Sequence, residues 1–99
     1  MYGSLRRYRI RSGNVGEIVD KVKASLVPLL ERTPGFLGYY VLNAEGNRVT
    51  SFSIGESREA VGEMNRIALE WVRQNLPDRL SEAEVFAGPL PIALTHQHA

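Results

Sequence analysis

The stretch "ERTPGFLGYYVLNAEGNRVTSFSIGES", residues 31–57, reads as two strands joined by a tight turn. Residues 36–43 and 48–54 are rich in aromatic and β-branched side chains, and "TPG" before them and "AEGN" between them supply the turn chemistry. A two-residue turn at Glu45-Gly46 or Gly46-Asn47 needs positive φ, and either choice sets even positions of the first strand opposite odd positions of the second. One face then carries Leu37, Tyr39, Val41, Thr50, Phe52 and Ile54, and the other carries Phe36, Tyr40, Leu42, Val49, Ser51 and Ser53. Both faces of the first strand are apolar, so each needs a cover.

Working outward, "LRRYRIR" at residues 5–11 alternates as a strand, with Tyr8 and Ile10 on one face and Arg7, Arg9 and Arg11 on the other. Asn14 suits a helix N-cap with Glu17 three residues on, and Val15, Ile18, Val19, Val22, Leu26, Leu29 and Leu30 recur at helical spacing. The spacing predicts a helix over about 14–32, kinked or broken at Pro28, which lacks an N–H and crowds the turn before it. Ser57 caps a second predicted helix, with Glu59 in its first turn and Ala60, Val61, Met64, Ile67, Ala68, Trp71 and Val72 on one arc as far as Leu76. "AEVFAG" at 83–88 suits a last strand. The order β-α-β-β-α-β is the split βαβ, ferredoxin-like α+β arrangement, a four-stranded antiparallel sheet with two helices on one face. Residues 1–88 form a single domain on this reading, and 89–99 a tail docked through Ile92 and Leu94. The uncovered sheet face, bearing Tyr40 and Leu42, calls for a second copy of the chain.

Composition narrows the function classes. At 99 residues the chain can bury one modest core. With 12 basic and 11 acidic residues there is no global pull toward nucleic acid or anionic lipid. The cluster Arg6, Arg7, Arg9 and Arg11 is split between strand faces and lacks an RNA-recognition aromatic signature, so no nucleic-acid partner is expected. No cysteine is present, which removes thiol nucleophiles and thiolate metal sites. No apolar segment resembles a membrane span, and a cytoplasmic location is expected. The two imidazoles of His96 and His98 sit at strand spacing with no third ligand in view, so no metal site is expected there.

The phrases "RTPGFLGYYVL", "VTSFSIGES" and "NRIALEWVRQNL", in that order, resemble the dimeric α+β barrel superfamily, and in particular small proteins with an antibiotic-biosynthesis-monooxygenase-like domain. The resemblance covers roughly residues 5–88 and implies a homodimer whose two sheets pack face to face, with a cavity between each sheet and its helices. It also implies a range of activities, from cofactor-free oxygenation of polycyclic aromatics to haem degradation and to none at all. The oxygenases are associated with an asparagine and a tryptophan one helical turn apart. Asn65 and Trp71 are six apart and do not reproduce that pair. The haem-degrading members use a helix histidine, and both histidines here are in the tail, so no cofactor is expected.

The expected ligand is therefore a small aromatic or polyketide-like compound between the sheet and the second helix. Trp71 would form an apolar wall and Asn65 would sit at its rim, with Tyr39 on the same sheet face and Arg9 offered as an anion-binding guanidinium. Each has a plainer role available: Trp71 and Tyr39 as core, Asn65 as a boundary polar group, and Arg9 as a solvated charge. Ser51 and Ser53 have no adjacent histidine to activate them and are expected as hydroxyls sharing a face with Tyr40. Catalysis and non-catalytic binding both remain open on these residues.

Overall fold

The computed structural model describes residues 1–96 and has four strands: β1 (Tyr2–Arg9), β2 (Phe36–Ala44), β3 (Arg48–Gly55) and β4 (Glu84–Pro89). They form one sheet in the order β2-β3-β1-β4, and every neighbouring pair is antiparallel. This is the ferredoxin-like topology, with β1 and β3 central. One side of the sheet packs on the helices through Tyr8, Val49, Ile18, Leu30, Met64 and Trp71, among others.

The first helix begins where expected. The Asn14 side chain accepts from the Glu17 amide, and the Glu17 carboxylate accepts from the Asn14 side-chain amide. Instead of breaking at Pro28, the helix widens ahead of it: α1 (Val15–Lys21) passes into a π-helical turn (Val22–Leu26) and then α2 (Val27–Glu31). The Val27 amide bonds to the Val22 carbonyl five residues back, and Pro28 follows in the first turn of α2. The proline ring would otherwise meet the carbonyl four residues behind it, and the wider turn moves that carbonyl aside. The second helix, α3 (Arg58–Asn75), starts from Ser57, whose hydroxyl accepts from the Ala60 amide. It buries Ala60, Val61, Met64, Ala68 and Trp71.

The hairpin differs from the sequence reading in one decisive way. Ala44 pairs with Arg48 around a three-residue loop, Glu45-Gly46-Asn47, in which Gly46 (φ 76°) and Asn47 (φ 56°) are both left-handed. An odd loop length sets odd positions against odd, so Tyr39 pairs with Ser53 and Val41 with Ser51. A one-residue change of register moves every side chain of one strand to the other face. Ser51 and Ser53 therefore share the helix side with Tyr39, not with Tyr40, and Thr50, Phe52 and Ile54 lie opposite. A bulge at Leu37 then returns Phe36 to the Tyr39 side, since Phe36 pairs with Gly55 and Gly38 with Ile54. Gly46→Ala should cost about 1–2 kcal/mol in chemical denaturation, because an L side chain is strained at that φ while nothing crowds the added methyl.

The other face carries an apolar row across all four strands: Tyr40 beside Phe52, Phe52 beside Leu5, Leu5 beside Phe86. Tyr40, Leu42 and Phe86 are exposed at 62%, 63% and 55%. Beyond β4, Leu90 donates to the Met1 carbonyl, while Ile92 and Leu94 stand in solvent rather than docking on the sheet. Among the described residues no helix is long and apolar enough to cross a membrane.

Candidate functional site

Alternation along β1 places Ser4, Arg6 and Tyr8 on the helix side, beside Ser53, Ser51 and Val49 of β3. Arg6 is wholly buried there. Its Nε donates to Ser51 Oγ at 3.1 Å, its Nη2 to Ser53 Oγ at 2.7 Å, and its Nη1 to Asn65 Oδ1. The Ser4 hydroxyl donates to the same Asn65 oxygen at 2.7 Å, so α3 is tied to the centre of the sheet through one amide. Among the described residues no Asp or Glu pairs with Arg6. The ion pairs join Arg7 to Glu84, Arg66 to Glu63 and Glu70, and Arg79 to Glu17, all at the surface. A buried guanidinium held only by neutral oxygens is an uncompensated charge, and such a charge is costly to keep.

Two phenols flank it. Burial pushes the Tyr8 phenol above its ordinary pKa, with the Arg6 charge opposing. Burial raises Tyr39 in the same way, opposed by Arg6 and by the Ser51 hydroxyl. Both are therefore protonated donors at neutral pH. Burial also lowers the Arg6 pKa, with Tyr39 and then Tyr8 opposing, and a guanidinium remains a cation across the physiological range. The Tyr8 hydroxyl has no hydrogen-bond partner among the described residues.

Arg6, Tyr8, Tyr39 and Ser51 line a cavity of about 30 Å³ between sheet and helices, closed by apolar side chains that include Val22 and Leu26 of the π turn. A much larger space, an open groove of about 500 Å³, runs between α2 and α3. It is a surface feature in which Arg66 already pairs with Glu63 and Glu70, and Arg32 donates to the Pro28 carbonyl. The convergent buried polar groups belong to the smaller cavity, which is the stronger candidate.

The four residues expected to form a site do not all meet. Tyr39 lines the cavity, and Asn65 holds Arg6 from behind. Trp71 lies elsewhere: its indole N–H donates to Ser25 Oγ at 2.8 Å, and the ring borders the open groove instead of the cavity. Arg9 is exposed, facing Arg48 across the strand pair on the side of the sheet away from Tyr39. The buried guanidinium is that of Arg6, three residues earlier, which sequence reasoning misses. The period-two run Ser4-x-Arg6-x-Tyr8 and its counterpart Ser51-x-Ser53 are the signal that could have found the cluster, given the correct hairpin register. Among the described residues no cluster of three or more His, Cys, Asp or Glu is arranged to hold a metal ion, and His98 lies outside the described residues.

A match to the antibiotic biosynthesis monooxygenase family spans residues 1–65. The chain belongs to that family. Solved structures share the fold at low identity. A Nitrosomonas europaea protein of unknown function, NE2512, is 17% identical with a TM-score of 0.78, over 98% of this chain and 95% of that one. A point mutant of SnoaB, a cofactor-independent oxygenase from Streptomyces nogalater, is 15% identical with a TM-score of 0.73, over 96% and 97%. A point mutant of MhuD, solved with two manganese protoporphyrin IX molecules per active site, is 20% identical with a TM-score of 0.70, over 97% and 100%. No curated protein matches the chain. Within the antibiotic biosynthesis monooxygenase family, then, this member has a buried Arg6, held by the buried Ser51 and Ser53 and the half-buried Asn65, as the polar centre of its candidate site.

Proposed function

We propose that this protein is a homodimer that binds a small aromatic or polyketide-like compound between its sheet and helices and oxygenates it without a cofactor. The observation that carries the reading is the convergence of Arg6, Tyr8 and Tyr39 on one buried cavity in a family that includes oxygenases of this kind. Among the described residues no carboxylate or imidazole lines the cavity to serve as a strong base, so the substrate must itself be an acidic carbon or oxygen acid. The protein's part is to desolvate it, orient it and stabilise negative charge as it develops on oxygen, for which Arg6 and the two phenols are placed as donors. The electrons come from the substrate. A methylene that loses a proton adds dioxygen to form a hydroperoxide, and loss of water leaves a ketone, so that one CH₂ and one O₂ become one C=O and one H₂O.

The dimer reading rests on the apolar row of Tyr40, Phe52, Leu5 and Phe86, exposed at its Tyr40 and Phe86 ends and half-buried between them, which gives two sheets apolar faces to pack together. A second reading, a non-catalytic binding or stress-response module, is favoured by the small volume of the cavity, which has room as it stands for about one water. Oxygen uptake in the presence of polycyclic phenols separates the two. Oxygenation predicts protein-dependent uptake with one labelled atom from dioxygen in the product. Tight binding with uptake no faster than the uncatalysed rate would leave the binding module.

A further inference from the structure

We infer that the ligand of this cavity is the conjugate base of an acidic phenol or enol, bound already ionised, its single oxyanion supplying the counter-charge that Arg6 lacks and accepting the hydrogen bond that the Tyr8 hydroxyl has no partner for. This rests on the reading of the cavity as a small-molecule site and goes beyond it in fixing the charge of the occupant.

Three observations carry it. Arg6 is fully buried and has no acidic partner among the described residues, so a neutral occupant would leave its charge uncompensated, while an anion would satisfy it. The Tyr8 hydroxyl is buried on the cavity wall beside Arg6, which can only donate to it, and among the described residues its own O–H has no acceptor. Apart from the neutral hydroxyls of Tyr39 and Ser51, the rest of the wall is aliphatic, including Ile18, Val22, Leu26, Val41 and Val49, which suits a flat apolar body and no second charge. The way Arg6 is held favours one kind of anion. Its Nε and Nη2, the edge that receives a carboxylate side-on through two parallel N–H bonds, are committed to Ser51 and Ser53. A one-oxygen anion needs no such fork.

The ligand leaves its proton in solvent on entry, so binding lowers its apparent pKa. A plain apolar pocket does the opposite, because desolvation disfavours the charged form.

The experiment uses para-nitrophenol, whose anion alone is yellow, in a buffer that leaves the free compound half ionised. A monocyclic probe asks the least widening of a cavity this small. Para-nitroanisole is the neutral comparison and para-nitrobenzoate the carboxylate one. The expected result is a gain of yellow colour on adding protein, a bound pKa lower by about one unit or more, as an adjacent opposite charge produces, and an ether that binds about tenfold or more weakly. Tyr8→Phe should weaken nitrophenolate binding by about tenfold while leaving the protein as resistant to denaturant as before, or more so, since it removes an unpartnered buried hydroxyl. If the ether binds as well as the phenol and bound nitrophenol loses its colour, the cavity stands and the inference about charge falls. Preference for nitrobenzoate overturns the phenol class. If none of the three binds, the cavity reading itself is wrong.

Discussion

Arg6→Met is expected to fold as stably as the wild type, within about 1–2 kcal/mol or above it, and to lose binding of para-nitrophenolate and any oxygen-consuming activity. Arg6 is an expensive residue to bury. Its charge is removed from water and met only by Ser51, Ser53 and Asn65, none of which is anionic. Replacing buried ionic groups with apolar side chains of similar shape is often neutral, or stabilising by about 1–4 kcal/mol, because the desolvation cost vanishes with the charge. Methionine is unbranched and flexible enough to follow the same path between β3 and α3. Against the gain stand two serine hydroxyls that must turn to other partners, whereas Asn65 Oδ1 keeps the Ser4 hydroxyl. Denaturant unfolding together with the nitrophenolate titration decides the matter. A loss above about 3 kcal/mol, the size expected when a needed partner is removed from a buried network, would make Arg6 a structural strut and remove the basis for its functional role.

Tyr40→Asp should turn the proposed dimer into a monomer, or prevent folding if the monomer cannot stand alone. Tyr40 is 62% exposed in the single chain and lies at one end of the apolar row that runs through Phe52 and Leu5 to Phe86. If a second sheet covers that row, an aspartate there is buried without a partner, which costs several kcal/mol and so weakens association by about a hundredfold or more. Sedimentation at micromolar protein reads the outcome directly. Arg58→Asp, on the exposed start of α3 away from this row, is the control for charge alone. A wild-type monomer, or a Tyr40→Asp protein that sediments as the wild-type dimer does, would remove the sheet face from consideration.

Much of the fold is legible in the sequence because it depends on patterns that repeat. The helical stripe of α3, its Ser57 cap and the Asn14 cap of α1 each rest on several residues that agree, and the structure bears them out. The site depends on one count. A loop of two residues and a loop of three are both compatible with "AEGN", because asparagine tolerates the left-handed region nearly as glycine does in turns. The choice between them decides whether Ser51 and Ser53 stand beside Tyr39 or Tyr40. Arg6 is hidden for another reason. An arginine in the run Arg6, Arg7, Arg9 and Arg11 looks like solvated surface, and its burial becomes visible only when Ser51, Ser53 and Asn65 are known to converge on it. Trp71 falls on the predicted helix arc, yet an arc gives direction without depth, and its indole meets Ser25 of the first helix before it can reach the sheet.

That last contact gives the protein an internal optical gauge. Trp71 is the sole tryptophan of the chain, and its N–H is anchored on Ser25, within the π turn whose Val22 and Leu26 wall the cavity from the opposite side. Any guest large enough to press that turn outward must stretch or release the anchor. The colour of the indole emission then follows the opening of a chamber the ring never touches, and entry can be timed in the unlabelled protein.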